Sequence, residues 1–358
     1  MWPFGILGLP LVVLALFFIY CSIVYFFGIT RVRHKIALAL VLLIPTAAFV
    51  MSREADDGIW RTLYYPSGIW LGVVVTLITF FFAAWVAWGA TRLVTHSPSP
   101  AIYGGAALAL AILYSGYGVW NARHPRVVHV SVKIRNLPPA WQGKDIVHIS
   151  DTHLGRIWGA ASMERVVQTI DEQKPVAVFI AGDVLDGGDP SYAKLLRPLD
   201  DIAAPLGVYC APGNHDRALP TLNKTKARVL DDEMVVVEGL QIIGKSYARR
   251  GRGKSVGEMI DSLPGYDPRK PSIFLYHAPI QTDQAKAAGI DLQLSGHSHG
   301  GQIFPLQLVT WLIFGKYFHG LNVDGDYAIN TTSGVGTWGP TFRTGCHPEI
   351  VVIHLESK

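Results

Sequence analysis

The chain reads as an α/β protein of two packed sheets flanked by helices, preceded by about four transmembrane helices. Three observations predict this. Charged residues are few and clustered before Arg123 and reach ordinary density after it. From about Val127, short β-rich runs alternate with helical ones. Five short segments rich in His, Asp and Asn each follow the end of an apolar strand: Asp151-Thr152-His153, Gly182-Asp183, Gly213-Asn214-His215-Asp216, His277, and Gly296-His297-Ser298-His299. The expected division is a transmembrane region over 1–122 and a soluble domain over 127–358.

Four apolar stretches fill the N-terminal third: Phe4 to Gly28, Ile36 to Met51, Gly68 to Ala90 and Ala101 to Trp120. The first and third reach the roughly 20 residues needed to cross a bilayer. The second is short for a span and calls for thin matching or extension. The fourth is rich in Gly and Ala, which suits close packing of helices. A cleaved signal peptide is not expected, because no basic segment follows Met1 and further apolar stretches come later. Four spans leave both ends on one side. Arg53, Arg61, Arg123, Arg126, Lys133 and Arg135 flank one side and Arg31, Arg33, Lys35 and Arg92 the other, which favours a cytoplasmic soluble domain.

The same partition explains the composition. Half of the 358 residues are hydrophobic and 16% are charged, against roughly a quarter charged in soluble proteins. A net charge of +4 without a long run of one sign gives no case for a nucleic-acid partner. The one basic cluster, Arg249-Arg250-Gly251-Arg252-Gly253-Lys254, reads either as a solvated loop or as an attractor of lipid headgroups or a phosphorylated substrate. Cys21, Cys210 and Cys346 lack metal-site spacing and leave the redox compartment open.

In the soluble half the strand candidates are Val127–Ile134, Asp145–Ser150, Val176–Ala181, Gly207–Ala211, Met234–Val237, Leu240–Ile243, Ser272–Tyr276, Leu292–Ser295, Tyr327–Asn330 and Ile350–Leu355. Helices are expected near Ala161–Gln173, Ser191–Ile202 and Gln281–Ala288. Continuously apolar strands with helices between them indicate sheets covered on their faces. In such folds ligands gather in the loops beyond the strand C-termini, and all five segments lie there.

Taken singly, each segment has a bland reading. Gly-Asn-His-Asp can be a tight turn, and Asp216 can cap a following helix. Taken together, they supply enough hard oxygen and imidazole ligands for two divalent ions. Asp183 is the natural bridge, since a carboxylate has two oxygens. Asp151, His153 and His299 would complete one ion, and Asn214, His277 and His297 the other. Mixed N/O ligands suit Mn, Fe or Zn and fit Ca poorly. Two ions held about 3.5–4 Å apart serve in-line attack on phosphorus and activate water. His215 is the expected proton donor to the leaving oxygen, with Asp216 orienting its ring.

This set resembles the full signature of the calcineurin-like metallophosphoesterases over about residues 127–358. The resemblance implies a four-layer α/β/β/α metallophosphoesterase sandwich, a site of two divalent metal ions and the ligand roles above. Gly300-Gly301-Gln302, Ser333-Gly334-Val335-Gly336 and the end through Pro348-Glu349-Ile350 look like its membrane-associated bacterial branch, which includes UDP-2,3-diacylglucosamine pyrophosphatases of lipid A synthesis. The four-span N-terminus departs from the simplest members of that branch. On this resemblance the protein is expected in the bacterial inner (plasma) membrane, hydrolysing a phosphoester or pyrophosphate bond in a phosphorylated, lipid-linked small molecule. The alternatives are a sensor or scaffold that only binds a phosphorylated ligand, and a phosphodiesterase or phosphatase for a soluble substrate.

One apolar segment, Ile303–Phe318, follows the last ligand loop directly. It is too short and too broken by Pro305 and Gly315 to span a bilayer. It reads either as a core helix or as an interfacial element in contact with membrane lipids, with Lys316 meeting the headgroups.

Overall fold

The structure, a computed structural model, describes residues 4–54, 58–94, 99–187, 190–216, 219–247 and 253–358. The chain divides into two compact units. One comprises Met1–Asn121 with the short segments Ile303–Pro305 and Gly339–Thr344; the other holds the remaining residues from Ala122 onward. The main division falls between Asn121 and Ala122, and the two exceptions, Ile303–Pro305 and Gly339–Thr344, are drawn from the C-terminal half.

The first unit contains α1 (Phe4–Phe26), α2 (Val32–Glu54), α3 (Gly58–Val94) and α4 (Pro100–Asn121). Among the described residues, three stretches are long and apolar enough to cross a membrane: Val32–Ser52, Gly58–Val94 and Pro100–Asn121. α1 adds a further apolar helix, which includes Pro10–Phe26. The second stretch is longer than its composition suggested, because the helix extends outward to Val32 through Arg33, His34 and Lys35. Ile19, Phe26, Leu42, Phe81 and Ala111 form the shared apolar core. Hydroxyls and indoles tie the helices together: Trp70 Nε1 donates to Thr46 Oγ1 at 3.1 Å, and Trp85 Nε1 to Ser22 Oγ at 2.9 Å. Thr76 and Ser115 share a hydrogen bond of 2.9 Å. Polar pairs of this kind act where neighbouring apolar surfaces give helices little reason to associate.

The segment 339–344 is built into the same unit. Phe342 is fully buried, with its ring against the backbones of Gly72 on α3 and Gly118 on α4. Arg343 N–H donates to the Gly118 carbonyl at 2.9 Å, and Asn121 Nδ2 to the Arg343 carbonyl at 3.0 Å. Tyr114 donates to the Thr344 carbonyl at 2.9 Å, and Phe304 N–H to Thr344 Oγ1 at 3.1 Å.

The second unit is a mixed α/β fold with two six-stranded sheets. The first runs in the order β1 (Arg126–Ile134), β12 (Glu349–Ser357), β2 (Lys144–Ile149), β3 (Ala177–Ile180), β4 (Val208–Cys210) and β5 (Arg228–Val229). The second runs β10 (Gly320–Asp324), β11 (Tyr327–Thr331), β9 (Leu292–Ser295), β8 (Ser272–Tyr276), β7 (Leu240–Lys245) and β6 (Glu233–Val237). Strands β2, β3 and β4 are mutually parallel, as are β7, β8, β9 and β11. Their C-terminal ends therefore share a direction within each sheet.

Alternation along the strands sorts the core. Ile146, Phe179, Ile353, Ile242, Ile273 and Leu294 belong to one buried cluster fed by both sheets. The intervening residues Val147, Val178 and Val352 pack with Met163, Val167 and Ile170 of α5 (Ala160–Glu172). Phe274 and Ile329 pack with Met259 and Ile260 of α7 (Val256–Asp261) and Ala285 of α8 (Thr282–Ala287). The period of two along each strand directs successive side chains to opposite faces. His148 breaks the apolar pattern. It is fully buried, and its Nδ1 accepts from Asn330 Nδ2 on β11 at 2.8 Å.

Several elements differ from expectation. The helix expected over Ser191–Ile202 is two 3₁₀ turns, Pro190–Leu195 and Arg197–Asp201, with Pro198 lacking the N–H that a continuous helix would need. A short α6 (Leu219–Leu222) and the strands β5 and β10 add to the expected set. The apolar segment after the last ligand loop folds as α9 (Gln307–Phe314), in which no residue is buried. That removes the core-helix reading. In the basic run, Arg249, Arg250, Gly251 and Arg252 lie outside the described residues.

Candidate metal centre

All five segments occupy loops that follow strands. Asp151 and His153 lie just past β2, Asp183 past β3, Asn214 and His215 past β4, His277 after β8, and His297 and His299 after β9. Among the described residues three side-chain clusters form, each with ligand atoms within 4.8 Å of one another: Asp151, His153 and His299; Asp183, His277 and His297; and His153, Asp186 and His215. The first expected group comes together, His277 and His297 of the second meet Asp183, and the two histidines of Gly296-His297-Ser298-His299 part between these clusters. Asp183 lies between the groups, with its Oδ2 3.1 Å from His277 Nε2 and 3.8 Å from His153 Nε2.

The backbone is strained here. Asp151, His153, Asp183, His297 and His299 all have positive φ, between 46° and 68°. Non-glycine residues adopt this left-handed region at a cost, and such residues concentrate at functional sites. Tight approach of the loops makes the strain necessary. A Cβ at Gly213 would fall on the Asp183 carboxylate, and one at Gly296 on Ser150 and Asp151. Neither loop can close with a larger residue there.

The arrangement fits cations. Asp151 Oδ1, His153 Nδ1 and Asn214 Oδ1 are buried without a hydrogen-bond partner, and a buried polar atom left so is costly. Ring nitrogens converge in pairs: His153 Nε2 lies 3.3 Å from His299 Nε2, and His297 Nδ1 3.2 Å from His277 Nε2. Other contacts orient the ligands. His277 Nδ1 donates to the Ala181 carbonyl at 2.7 Å, turning Nε2 toward Asp183. His297 N–H and the Ser150 hydroxyl both donate to Asp151 Oδ2.

Charge is balanced by protons in the same place. Burial opposes a charge on His277, yet Asp183 and Asp151 push its pKa up to about 10. Burial opposes ionisation of Asp183, but His277, His153 and His215 hold it well below the usual carboxylate range. Burial and the charge on His277 lower His297 to about 3. The Asp183–His277 pair thus holds a proton where a divalent ion would supply the positive charge, so binding an ion releases it.

Asp216 was expected to orient the His215 ring. Its carboxylate accepts the backbone N–H groups of Leu185 at 2.9 Å and Gly213 at 2.8 Å, so it ties the β3 and β4 loops together. Burial and Asp183 raise it to about 6. The carboxylate at the His215 ring is that of Asp186, with Oδ1 3.2 Å from His215 Nδ1. His215 N–H donates to Asp183 Oδ1 at 2.7 Å, and its ring stands edge-on to His153 at 5.0 Å. Asp186 was legible as a second carboxylate three residues after Asp183. Two aromatic rings were not foreseen either. Tyr247, just past β7, lies 5.4 Å from the His297 ring, and Phe314, the last residue of α9, stands edge-on to His297 at 5.9 Å.

A model of the calcineurin-like phosphoesterase family matches residues 144–301. The zebrafish (Danio rerio) "transmembrane protein with metallophosphoesterase domain" is 30% identical over 318 residues, covering 80% of this chain and 72% of that protein. The protein of the same name from Bos taurus is 29% identical, covering 76% and 67%. An uncharacterized metallophosphoesterase of Helicobacter pylori is 32% identical, and the alignment spans 60% of each chain. Among solved structures, the TT1561 protein of Thermus thermophilus is similar at a TM-score of 0.35 and 13% identity, covering 55% of this chain and 90% of that one.

Proposed function

Because this chain belongs to the calcineurin-like phosphoesterase family, whose members are metal-dependent phosphoester hydrolases, we propose that it is a two-metal hydrolase of the membrane that cuts a phosphoester or pyrophosphate bond in a lipid-linked substrate. The observation that carries this reading is the pair of adjoining ligand clusters with Asp183 between them. Asp151, His153 and His299 would hold one ion, and Asn214, His277 and His297 the other, with Asp183 shared. The bound ions supply Lewis-acid polarisation of the phosphoryl oxygens and lower the pKa of water. Mn, Fe and Zn suit the donor set. The protein fold is read as the four-layer α/β/β/α sandwich, and the N-terminal helices as four spans with the catalytic unit on the cytoplasmic side.

The chain's own groups then divide the work. His215, partly exposed and at the rim of the first cluster, donates a proton to the departing oxygen. Asp186 holds its Nδ1, leaving Nε2 for the substrate. Asp216 fixes the loop that carries Asn214 and His215. What supports a lipid-linked substrate class is the set of helices long and apolar enough to cross a membrane.

The deciding experiment is metal analysis of the purified full-length protein beside an assay on an aryl phosphate. Two equivalents of transition metal with turnover are expected, and Asp183→Asn should lose both. Turnover retained in Asp183→Asn would refute the assignment, and metal binding without turnover on any phosphoester would favour the sensor reading. Lipids that accumulate when the protein is removed, read by mass spectrometry, identify the substrate. Protease accessibility in oriented vesicles settles the side.

A further inference from the structure

The segment left unabsorbed by the catalytic reading is α9. We propose that α9 is an interfacial helix lying at the boundary of lipid headgroups and acyl chains, with bilayer phospholipid as its occupant, so that the metal centre works on phosphoesters presented at that surface.

Four observations lead there. The helix sequence, Gln307-Leu-Val-Thr-Trp-Leu-Ile-Phe314, is apolar around nearly its whole circumference, and none of it is buried. Leu308 and Leu312 are 65% and 74% exposed, and Val309, Trp311 and Ile313 also face outward. Clustered apolar exposure on this scale marks a contact surface. An eight-residue helix is about 12 Å long, well short of a span, but long enough to lie within an interface.

The occupant follows from the chain's path. Pro305, the residue before the α9 cap Leu306, belongs with Ile303 and Phe304 to the unit of apolar helices. Phe304 is held there through Thr344, whose carbonyl is bonded to Tyr114 of α4. The peptide therefore leaves the candidate membrane unit and enters α9 at once. The exposed apolar side chains Leu308, Val309, Trp311, Leu312 and Ile313 spread over more of the helix than the single face a protein partner covers, and acyl chains match them. Lys316 follows within two residues, with an ammonium group suited to anionic headgroups.

The link to chemistry is short. Gln307, at the start of α9, packs against Gly301 of the last ligand loop, and Phe314, at its end, meets the His297 ring. Both ends of the helix are thus fixed to the loop that carries two metal ligands.

This inference rests on the reading of the chain as a membrane-bound phosphoesterase, and its test is independent of turnover. Benzoylphenylalanine is placed at Leu308 or Leu312 in the full-length protein, reconstituted in nanodiscs of phosphatidylcholine and phosphatidylglycerol and irradiated. Leu113, exposed on α4, is the lipid-facing reference, and Val236, exposed on β6, the aqueous one. Phospholipid adducts at positions 308 and 312 are expected at yields like that at 113 and about tenfold above that at 236. Adducts no more frequent than at 236, or cross-links to a second copy of the chain, would overturn the proposal. Metal content and aryl phosphate turnover on the same samples report separately on the catalytic reading.

Discussion

Asp186 Oδ1 lies 3.2 Å from His215 Nδ1, and the neighbouring Asp216 instead binds the amides of Leu185 and Gly213. The two acids therefore have separable effects. His215→Asn should slow hydrolysis of an alkyl phosphoester by about 10²-fold or more, and Asp186→Asn should reproduce part of that loss with metal content retained. An aryl ester with a good leaving group needs less protonation and should suffer less from both. Equal losses on the two esters would remove His215 from the role of proton donor.

Asp216→Asn is expected to act through the fold. It weakens a buried carboxylate's hold on two loops, and truncating such a partner leaves polar groups unsatisfied at about 1–3 kcal/mol. Thermal denaturation should show the loss, and turnover per folded, metal-loaded molecule should fall less than in His215→Asn.

Chelation should destabilise the catalytic unit. Ions bound only by the folded state contribute about 2.7 kcal/mol at a free concentration one hundred times the dissociation constant. Removing them leaves protons on His277 and His153, held by the neighbouring carboxylates, as the local compensation. The melting temperature should drop with chelator and recover on adding Mn or Zn. An unchanged melting curve after verified metal removal would count against a built metal site.

His148 predicts a pH dependence. Burial lowers its pKa in the folded protein to about 3, from an ordinary 6.5. The unfolded chain takes up this proton first, so the contribution is fully present above pH 6.5 and fades as pH falls toward 3. The slope for one proton is about 1.4 kcal/mol per pH unit. Urea unfolding between pH 6.5 and 5, with chelator throughout, should show a steeper loss in the wild type than in His148→Gln. Equal slopes would contradict the assignment.

Packing in the helical unit gives a sharper mutational contrast. A Cβ at Gly72 would fall on the Phe342 ring, whereas one at Gly89 meets nothing within 4 Å. Gly72→Val should cost about 1–3 kcal/mol through overpacking, and Gly89→Val should be far milder in the same melt.

Much of this was written locally in the chain. The strands Ser272–Tyr276 and Leu292–Ser295 were legible to the residue, since apolar runs end there at a ligand loop. The segments that supply the clusters were legible because each follows a strand. What escaped depends on closure of the fold. Which carboxylate faces His215 is decided by loops that meet in space, and sequence adjacency pointed to Asp216 instead of Asp186. Tyr247 and Phe314 reach His297 from β7 and α9, separated from it by 50 and 17 residues. β5 is two residues long, and β10 alternates over only five residues with two apolar positions, Leu321 and Val323, so neither carries a long apolar signal. The capping box Ser255-x-x-Glu258 that starts α7 was present in the sequence, next to the basic run that obscured it.

The seating of Phe342 between Gly72 and Gly118 has a practical corollary. A soluble fragment cut after residue 122 would carry an uncapped Phe342 and stripped Arg343 and Thr344 carbonyls, whose sheath of helices had been discarded. Such a fragment should precipitate or require detergent, and blunting Phe342 would be the first repair.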